Sequence, residues 1–261
     1  MSAGLKDAGI VVTGGGGGIG AALARRFVAE GARVVVADLD GDAATAVAGE
    51  IGGVAFAGDV ATEDGLARLL ARSREELGTI DVFCANAGIA PHGGPETPED
   101  VWAQAWDVNV MAHVRAAKAL LPDWLAAGRG HFVATVSAAG LLTSLGSAPY
   151  SVTKHGALAF AEWLSATYRH RGITVQAICP QGVRTRMLAD AGEAGELIMG
   201  ASAIEPEQVA DELLRAIEER RFLVLPHPEV AGYYEARATQ TDRWLGGMNK
   251  LQRKVEQSLG E

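Results

Sequence analysis

A tyrosine and a lysine four residues apart, Tyr150 and Lys154, are the side chains of this sequence best suited to exchange a proton. They open a helical pattern that runs to about Arg171, and residues four apart lie on one face of a helix. A free phenol ionises near pH ~10. An ammonium about 4 Å away, at an effective dielectric constant of ~20, favours the phenolate by roughly 4 kcal/mol, or about three pKa units. We therefore expect Tyr150 to be a general acid and base near neutral pH, although the same spacing also occurs in ordinary surface pairs.

A glycine-rich turn near the N-terminus predicts a site for a nucleotide diphosphate. The β-branched run at residues 10–12 leads into residues 13–20, which read T-G-G-G-G-G-I-G, and a helical pattern follows to Gly31. Glycines let the backbone approach a diphosphate, whose charge is stabilised by the N-terminus of the helix. The sequence lacks the Gly-Lys-Ser/Thr ending of a P-loop, which disfavours a nucleoside triphosphatase.

An aspartate after the second predicted strand indicates which dinucleotide binds. The strand covers residues 33–37, and Asp38 follows 18 residues after Gly20, near the spacing of acids that bind the adenosine ribose. A carboxylate there accepts hydrogen bonds from a free 2′-hydroxyl and repels a 2′-phosphate. No Arg or Lys lies in the glycine turn or directly after Asp38, so we predict NAD rather than NADP. The alternative is an aspartate that only begins the turn at residues 38–41.

Strands and helices alternate along the rest of the sequence and predict the fold. Further strands are expected at residues 54–57, 80–84, 131–136 and 173–179, with helices at 63–77, 101–127 and 150–171. Apolar runs without a period of two argue for a parallel sheet covered by helices on both faces. Right-handed crossovers then give a doubly wound, Rossmann-type α/β fold of about seven strands in a single domain.

The residues that follow the predicted strands should meet at one edge of this sheet. They are Gly14, Asp38, Asp59, Asn86, Ser137 and Pro180. Ligands of doubly wound folds bind at the carboxyl edge of the strands. The shared position of these residues therefore predicts one ligand site built from several segments.

Composition excludes several classes of partner and site. The 261-residue chain is 48% hydrophobic and carries a net charge of −9, which argues against nucleic acid and anionic membrane surfaces as partners. The sequence shows neither a membrane-spanning apolar run of ~20 residues nor the apolar core of a signal peptide. Two cysteines suit a reducing compartment, and the six histidines show no metal-ligand spacing. We expect a cytoplasmic protein with no metal site and one domain over residues 1–261.

These motifs together resemble the short-chain dehydrogenase/reductase family over roughly residues 8–225. The resemblance is carried by the glycine turn at residues 13–20, by Asn86-Ala87-Gly88, by Asn109, and by Ser137 placed 13 residues before Tyr150, with Lys154 completing the set. It implies hydride transfer between a secondary alcohol or ketone and NAD.

The resemblance also implies a role for each matching residue. Tyr150 would exchange a proton with the substrate oxygen, and Ser137 would hydrogen-bond the same oxygen. Lys154 would bind the nicotinamide ribose and lower the pKa of Tyr150. Asn109 would hold a water that links Lys154 to solvent. The Asn-Ala-Gly motif would support the adenine side and the central sheet, and Thr185 matches the residue that contacts the nicotinamide carboxamide.

The predicted site has a catalytic and a cofactor-binding part. The catalytic residues are Asn109, Ser137, Tyr150 and Lys154. The cofactor-binding residues are Gly14, Gly18, Ile19, Gly20, Asp38, Asp59, Val60, Asn86, Ala87, Gly88, Tyr150, Lys154, Pro180, Val183 and Thr185. Two other functions remain open: a non-catalytic NAD-binding sensor or interaction module, and an epimerase of nucleotide-sugars. The second usually needs a larger C-terminal substrate domain than this chain offers.

The sequence departs from the family pattern in its C-terminal third. Gln181 replaces the glycine that usually follows Pro180, and Gly182 is expected to supply the flexibility instead. The usual final segment is replaced by residues 221–226, which we expect to form the last strand, and by a tail over residues 226–261. We expect this tail to be a helical cap on the body or on a neighbouring subunit, or to close the substrate pocket.

Two further patterns concern the substrate and the assembly. Met187-Leu188 and Leu197-Ile198-Met199 flank a glycine- and acid-rich loop at residues 189–196, which predicts a mobile lid with apolar edges and a lipophilic substrate. Apolar residues and tryptophans on the helices that begin near Val101 and Tyr150 predict a homodimer or homotetramer, because family members pair through these helices.

Overall fold

A computed structural model describes residues 5–259 as a seven-stranded sheet with helices on both faces. The strands are β1 Gly9–Thr13, β2 Arg33–Asp38, β3 Val54–Ala57, β4 Val82–Ala85, β5 Gly130–Thr135, β6 Ile173–Ile178 and β7 Leu223–Val224. The helices are α1 Gly18–Ala29, α2 Gly41–Ile51, α3 Glu63–Leu77, α4 Glu99–Trp106, α5 Ala112–Ala127, α6 Ala139–Leu142, α7 Ala148–Tyr168, α8 Arg186–Asp190, α9 Gly192–Met199, α10 Pro206–Glu219, α11 Glu229–Thr239 and α12 Thr241–Leu259. The ends of the predicted domain, residues 1–4 and 260–261, lie outside the described residues.

All neighbouring strands are parallel and lie in the order β3-β2-β1-β4-β5-β6-β7. This arrangement confirms the predicted doubly wound fold. The chain builds outward from β1 in one direction and then returns to place β4 on its other side. The reversal opens a crevice at the carboxyl ends of β1 and β4, where ligands bind in such sheets. Gly14 and Asn86 directly follow these two strands.

Two apolar layers cover the faces of the sheet. Val11 of β1 belongs to the layer formed with α3, α5 and α7, whereas Ile10 and Val12 belong to the layer formed with α1, α2 and α10. Side chains alternate between faces along a strand, so a strand covered on both sides is apolar throughout. The five residues of β1 are all buried. This burial explains why the sequence shows apolar runs instead of alternation.

The helix predicted at residues 101–127 runs from Glu99 to Ala127 but changes type in the middle. A π-helical turn covers Asp107–Met111 between α4 and α5, and the backbone N–H of Ala112 bonds the carbonyl of Asp107, five residues back. Single π-turns inside α-helices are rare and often occur at functional sites. Asn109 lies in this turn and is fully buried.

Two sequence predictions for the C-terminal third need correction. The last strand was expected at residues 221–226, but β7 has only two residues. Residues 189–196 were expected to be a loop, yet they belong largely to α8 and α9. Ala191 separates the two helices, and Gly192 at the start of α9 has a φ of +61°. Glycine disfavours a helix by only about 1 kcal/mol, so glycine content alone did not exclude one here. The side chain of Ile198 lies outside the described residues.

The tail is helical, as predicted. Helix α11 packs on α6, and α12 packs on α9. Val230 at the start of α11 is completely buried in the layer that contains α7. None of the helices between residues 5 and 259 combines the length and the apolar character needed to cross a lipid bilayer.

Candidate active site

Ser137 and Tyr150 meet at the carboxyl edge of the sheet. Ser137 follows β5, Tyr150 lies in the first turn of α7, and their side chains are hydrogen-bonded. The Ser137 Oγ also accepts the backbone N–H of Ala139 at 3.1 Å. A hydroxyl oxygen that already accepts one bond keeps its own proton free to donate, which here favours donation to the phenol oxygen. Ser137 has a φ of 156°, an uncommon conformation outside glycine and one that clusters at functional sites.

Lys154 is buried beside Tyr150. Lys154 is only 3% exposed, and its Nζ donates to the backbone carbonyl of Thr135 at 2.9 Å. The same Nζ lies 5.5 Å from the centre of the Tyr150 ring. Burial lowers the pKa of Lys154 to about 8, so the amine is still mostly charged at neutral pH. The site therefore contains a buried positive charge close to the phenol.

The pKa of Tyr150 differs from the sequence prediction. Burial raises this pKa, and the hydrogen bond with Ser137 opposes the rise only in part. Removing water from the phenol opposes formation of the phenolate. The prediction that Lys154 brings the pKa of Tyr150 close to neutral pH is therefore wrong, because desolvation is the larger influence.

Asn109 is held rigidly in the π-helical turn. Its Oδ1 accepts the backbone N–H of Ile89 at 3.0 Å, and its Nδ2 donates to the Ile89 carbonyl at 2.9 Å and to the Thr153 Oγ1 at 3.0 Å. A Cβ on Gly88 would lie 3.1 Å from the Asn109 Oδ1 and 3.3 Å from the Lys154 Nζ. Glycine at position 88 thus leaves space between Asn109 and Lys154. The water predicted to link these residues stays a prediction.

The glycine turn forms a cradle that side chains would fill. Gly14 and Gly18 have φ values of +60° and +50°, which glycine adopts without strain. A Cβ on Gly14 would lie 3.0 Å from the Cα of Ala87, and one on Gly20 would lie 2.0 Å from the Gly14 carbonyl oxygen. At Gly17, the N-cap of α1, a Cβ would meet nothing within 4 Å. The turn is closed toward the protein and open at the helix N-terminus, and its backbone N–H groups suit a diphosphate.

Asp38 lies against this glycine turn. Its Oδ2 accepts the backbone N–H of Gly16 at 2.9 Å, and its Oδ1 accepts that of Asp40 at 3.0 Å. The aspartate therefore begins the turn after β2, as the alternative interpretation required, and also faces the glycine turn. Each carboxylate oxygen keeps a lone pair for a further donor such as a ribose hydroxyl.

Asn86 connects the central strands. Its Nδ2 donates to the carbonyls of Thr13 at 2.9 Å and Gly14 at 3.2 Å, and its Oδ1 accepts from the Thr135 hydroxyl at 3.0 Å. The Thr13 Oγ1 in turn accepts the backbone N–H groups of Asn86 and Ala87. Asn86 therefore supports the glycine turn and the central sheet, whereas support of the adenine side stays a prediction.

The remaining predicted cofactor residues lie at the two flanks of the crevice. On one flank, Asp59 and Val60 follow β3, and the Asp59 Oδ1 accepts the backbone N–H of Ala61 at 2.9 Å. On the other flank, a Cβ on Gly18 would lie 2.9 Å from the Thr185 Cγ2. Thr185 thus packs directly on the glycine turn. Asp59 is farther away, because β2 lies between β3 and the strand that leads into the turn.

The loop after β6 explains the departure at Gln181. The Pro180 carbonyl accepts the backbone N–H of Ala138 at 2.8 Å, and Val183 is buried. A Cβ on Gly182 would lie only 2.8 Å from the Met199 Cβ. Glycine at position 182 is therefore required by close packing on Met199, and the flexibility expected of Gly182 stays a prediction.

A cleft of about 650 Å³ adjoins the predicted site. It lies between the glycine turn and α8 and includes Gly18, Thr185 and Leu188. A separate cleft of about 830 Å³ borders the start of α7. Neither Tyr150 nor Ser137 lines either cleft, but the first cleft joins cofactor residues to Leu188 at the edge of the predicted lid.

Several residues of the site were missed by the sequence analysis. The backbone carbonyl of Thr135 accepts a hydrogen bond from Lys154. The hydroxyl of Thr153 accepts one from Asn109. His113 lies one helical turn after Asn109 and is buried, and neither ring nitrogen has a partner among the described residues. Burial, with a smaller influence of the Lys154 charge, lowers the pKa of His113 to about 3. A histidine on an otherwise apolar helix face was the available signal.

Metal ligation finds no support in the part of the chain that the structure describes. Across residues 5–259, no group of three His, Cys, Asp or Glu side chains is arranged to hold a metal ion.

Comparison with known proteins shows clear similarity. The family model for short chain dehydrogenase matches residues 8–196. The chain is 36% identical to 1-deoxy-11-beta-hydroxypentalenate dehydrogenase of Streptomyces exfoliatus, over 86% of this chain and 85% of that protein. It is 28% identical to epidermal retinol dehydrogenase 2 of Homo sapiens, over 83% of this chain and 73% of that protein. A solved short chain dehydrogenase/reductase from Burkholderia phymatum in complex with NAD superposes with a TM-score of 0.82 at 25% identity, covering 89% of this chain and 93% of that one.

Proposed function

This chain belongs to the short-chain dehydrogenase family, and we propose that it is an NAD-dependent oxidoreductase that transfers a hydride between a secondary alcohol or ketone and the nicotinamide. The observation that carries the proposal is the meeting of Ser137, Tyr150 and Lys154 beside the glycine turn, at one edge of the sheet. These residues are far apart in sequence from the turn, and a protein that only binds a nucleotide has no need for them.

Tyr150 is the proposed general acid and base. In alcohol oxidation its phenolate takes the hydroxyl proton of the substrate, and in ketone reduction its phenol returns that proton to the substrate oxygen. Ser137, hydrogen-bonded to Tyr150, holds the same substrate oxygen in place. The positive charge of Lys154 favours the phenolate, while Asn109 and Thr153 fix the helix turn from which Tyr150 and Lys154 project.

The cofactor is proposed to lie across the crevice with its diphosphate at the glycine turn. Bound NAD supplies the hydride acceptor or donor. The open N-terminus of α1 at Gly17 suits the diphosphate, Asp38 suits the adenosine ribose hydroxyls, and Thr185 suits the carboxamide end. Asp38 also favours NAD over NADP, because a 2′-phosphate would face its charge.

The substrate is proposed to be an apolar secondary alcohol or ketone. Met187 on α8 and Leu197 on α9 are 40% and 54% exposed, so the predicted lid carries apolar side chains at its surface. Met187 lies on α8, whose neighbouring residues Leu188 and Ala189 line the cleft beside Thr185. The names of two relatives, which refer to hydroxypentalenate and to retinol, also support an alcohol on an apolar skeleton.

A homodimer or homotetramer is proposed to form through α4 and α7. Trp106 on α4 is 43% exposed, and Val152 and Trp163 on α7 are 49% and 54% exposed. Exposed apolar side chains grouped on neighbouring helices are typical of protein contacts. Light scattering at micromolar concentration tests this part, and a monomer would contradict it.

A cofactor titration followed by a substrate panel tests the main proposal. NADH binding is measured first by fluorescence, and reduction of NAD is then followed by absorbance with terpenoid alcohols, retinol, cyclic alcohols and small polyols. We expect NADH binding and turnover of apolar secondary alcohols. Binding without turnover of any alcohol would favour the sensor function, and absence of NADH binding would reject both.

A further inference from the structure

His227 lies buried beneath the loop that follows β6. It is 3% exposed and comes from the segment between β7 and α11. Its Nδ1 lies 3.2 Å from the backbone nitrogen of Gln181, and its Nε2 lies 3.1 Å from the carbonyl oxygen of Ser202. One imidazole thus connects three separate segments of the chain.

The two partners identify the tautomer of this imidazole that suits the site. A backbone N–H can only donate, so the Nδ1 must accept from Gln181 and carries no proton. A carbonyl can only accept, so the Nε2 must carry the proton and donate it to Ser202. In the neutral form with a proton on Nε2, both ring nitrogens are satisfied, which is the condition for burying an imidazole at low cost.

The two partners belong to two segments that lie next to the proposed cofactor site, the loop after β6 and the end of the predicted lid. Gln181 lies in the loop at residues 180–185, which carries Thr185 and packs on the glycine turn. Ser202 ends the 3₁₀ turn after α9, where the lid segment rejoins the body. Backbone bonds between Ile204 and this loop, to Gly182 at 3.1 Å and from Arg184 at 2.9 Å, continue the same connection.

His227 belongs to the C-terminal segment after β7, which departs from the family pattern, and the contacts of this segment hold the imidazole in place. The His227 carbonyl accepts the backbone N–H of Val230 at 3.1 Å, and Val230 is completely buried. Glu229 adds a second contact, since its Oε1 accepts from the Gln181 Nε2 at 3.0 Å. The position of His227 is therefore set by the core and not by the loop that it supports.

We propose that His227 is a positioning residue for NAD binding, which holds residues 180–185 in the conformation that receives the nicotinamide end and couples this loop to the lid. This inference rests on the proposed function. His227 itself touches neither the proposed cofactor nor the substrate. Its effect passes through the Gln181 backbone.

Two substitutions separate the two hydrogen bonds of His227. In His227→Asn, the Oδ1 occupies nearly the position of the Nδ1, so the bond from the Gln181 N–H is kept and the bond to Ser202 is lost. In His227→Gln, the Nε2 of the amide replaces the imidazole Nε2, so the bond to Ser202 is kept and the bond from Gln181 is lost. His227→Ala removes both.

The first measurement is amide hydrogen exchange of the protein without cofactor. We expect the peptide that contains Gln181 to exchange faster in His227→Ala and His227→Gln, and at the wild-type rate in His227→Asn. The second measurement is NADH titration, in which we expect Ala and Gln to weaken binding about tenfold, equivalent to ~1.4 kcal/mol, and Asn to change it less than about threefold.

A matched control is His131→Ala. His131 is another largely buried histidine with one side-chain partner, Gln176 at 2.9 Å, but it lies at the amino end of β5, away from the carboxyl edge. It should lower the melting temperature without changing exchange at Gln181 or NADH affinity.

Three results would decide against the inference. The first is a wild-type NADH affinity in all three His227 variants. The second is an equal change of NADH affinity and of exchange at Gln181 in His227→Asn and His227→Gln. The third is a loss of NADH affinity in His131→Ala as large as that in His227→Ala. If the wild-type protein bound no NADH, the proposed function would fail instead, and hydrogen exchange at Gln181 alone would still show whether His227 supports the loop.

Discussion

The Lys154 ammonium lies 5.5 Å from the centre of the Tyr150 ring and donates its hydrogen bond to the Thr135 carbonyl at 2.9 Å. Lys154 can therefore influence the pKa of Tyr150 only through its charge, whereas Ser137 influences it through a side-chain hydrogen bond. Burial opposes the charged form of both side chains, since it raises the pKa of Tyr150 and lowers that of Lys154. Substitutions at each position separate charge, hydrogen bonding and desolvation.

Tyr150→Phe should abolish turnover and leave NADH affinity within about twofold of wild type. The ring still packs in α7, and only the group that transfers the proton is lost. Rates of alcohol oxidation and NADH titrations measure the two effects. Tyr168→Phe, on the same helix, is the control and should keep full activity. More than a few per cent residual activity in Tyr150→Phe would contradict the proposed role.

Ser137→Ala should move the pH profile of alcohol oxidation upward. The hydrogen bond from Ser137 lowers the pKa of Tyr150, so its loss makes the phenolate form at higher pH. The rising limb of kcat/KM should therefore move to higher pH, in addition to a loss of rate. Ser151→Ala is the control from the adjacent position. An unchanged profile in Ser137→Ala would show that the bond does not influence Tyr150.

Lys154→Met should stabilise the fold at neutral pH while weakening cofactor binding. Burial lowers the pKa of Lys154 from 10.5 to about 8, so the charged native state costs roughly 3 kcal/mol at pH 7. Between pH 8 and 10.5 the unfolded chain binds more protons than the native one, so wild-type stability rises with pH and the advantage of the variant shrinks. Denaturant unfolding of both proteins at several pH values measures the difference in their free energies of unfolding.

The control for that comparison is Lys118→Met, because Lys118 is an exposed lysine on α5. It should show no such pH dependence. A Lys154→Met variant that is less stable than wild type at pH 7 would mean that the bond to Thr135 outweighs the cost of burying the charge.

His113→Leu should make the protein more resistant to acid. Burial lowers the pKa of His113 from 6.5 to about 3, so between these values the unfolded chain takes up a proton that the native protein does not. Wild-type stability therefore falls as pH drops from 6.5 towards 3. At pH 5 the variant should gain about 2 kcal/mol relative to its difference at pH 8. His170→Leu, at an exposed position, is the control and should show no gain.

The paired change Asp38→Ala with Leu39→Arg should narrow or invert the preference for NAD. The wild-type enzyme should favour NAD by at least about a hundredfold in kcat/KM, because a like charge at Asp38 costs several kcal/mol and ~1.4 kcal/mol is tenfold. Leu39 is 76% exposed, so an arginine fits there without disturbing the core.

Asp40→Ala is the matched control for this pair. It removes the side chain that caps α2 through Asp42 and Ala43, so it should lower stability but keep the ratio of the two cofactors. Comparable use of NAD and NADP by the wild-type enzyme would mean that Asp38 does not face the ribose.

The class of fold, and the strand ends at which the site lies, could be predicted from the amino-acid sequence alone. Apolar runs, glycine turns and helical periods are local features, and a parallel arrangement of strands puts the residues that follow them at one edge. Gly14, Asp38, Asn86 and Ser137 could therefore be assigned to one site before any coordinates were known. The spacing of Tyr150 and Lys154 sufficed to place both on one side of a helix.

The contacts that hold these residues, and the pKa shifts that follow from their burial, depend on the folded chain and could not be predicted from local patterns. The contacts of Lys154 with Thr135, of Asn109 with Ile89 and Thr153, and of His227 with Gln181 join residues that no periodic pattern relates. The raised pKa of Tyr150 has the same origin, since desolvation depends on every group packed around the phenol. Spacing along one helix records which side chains are neighbours, but the free energy of a charge depends on how much water the whole fold removes from it.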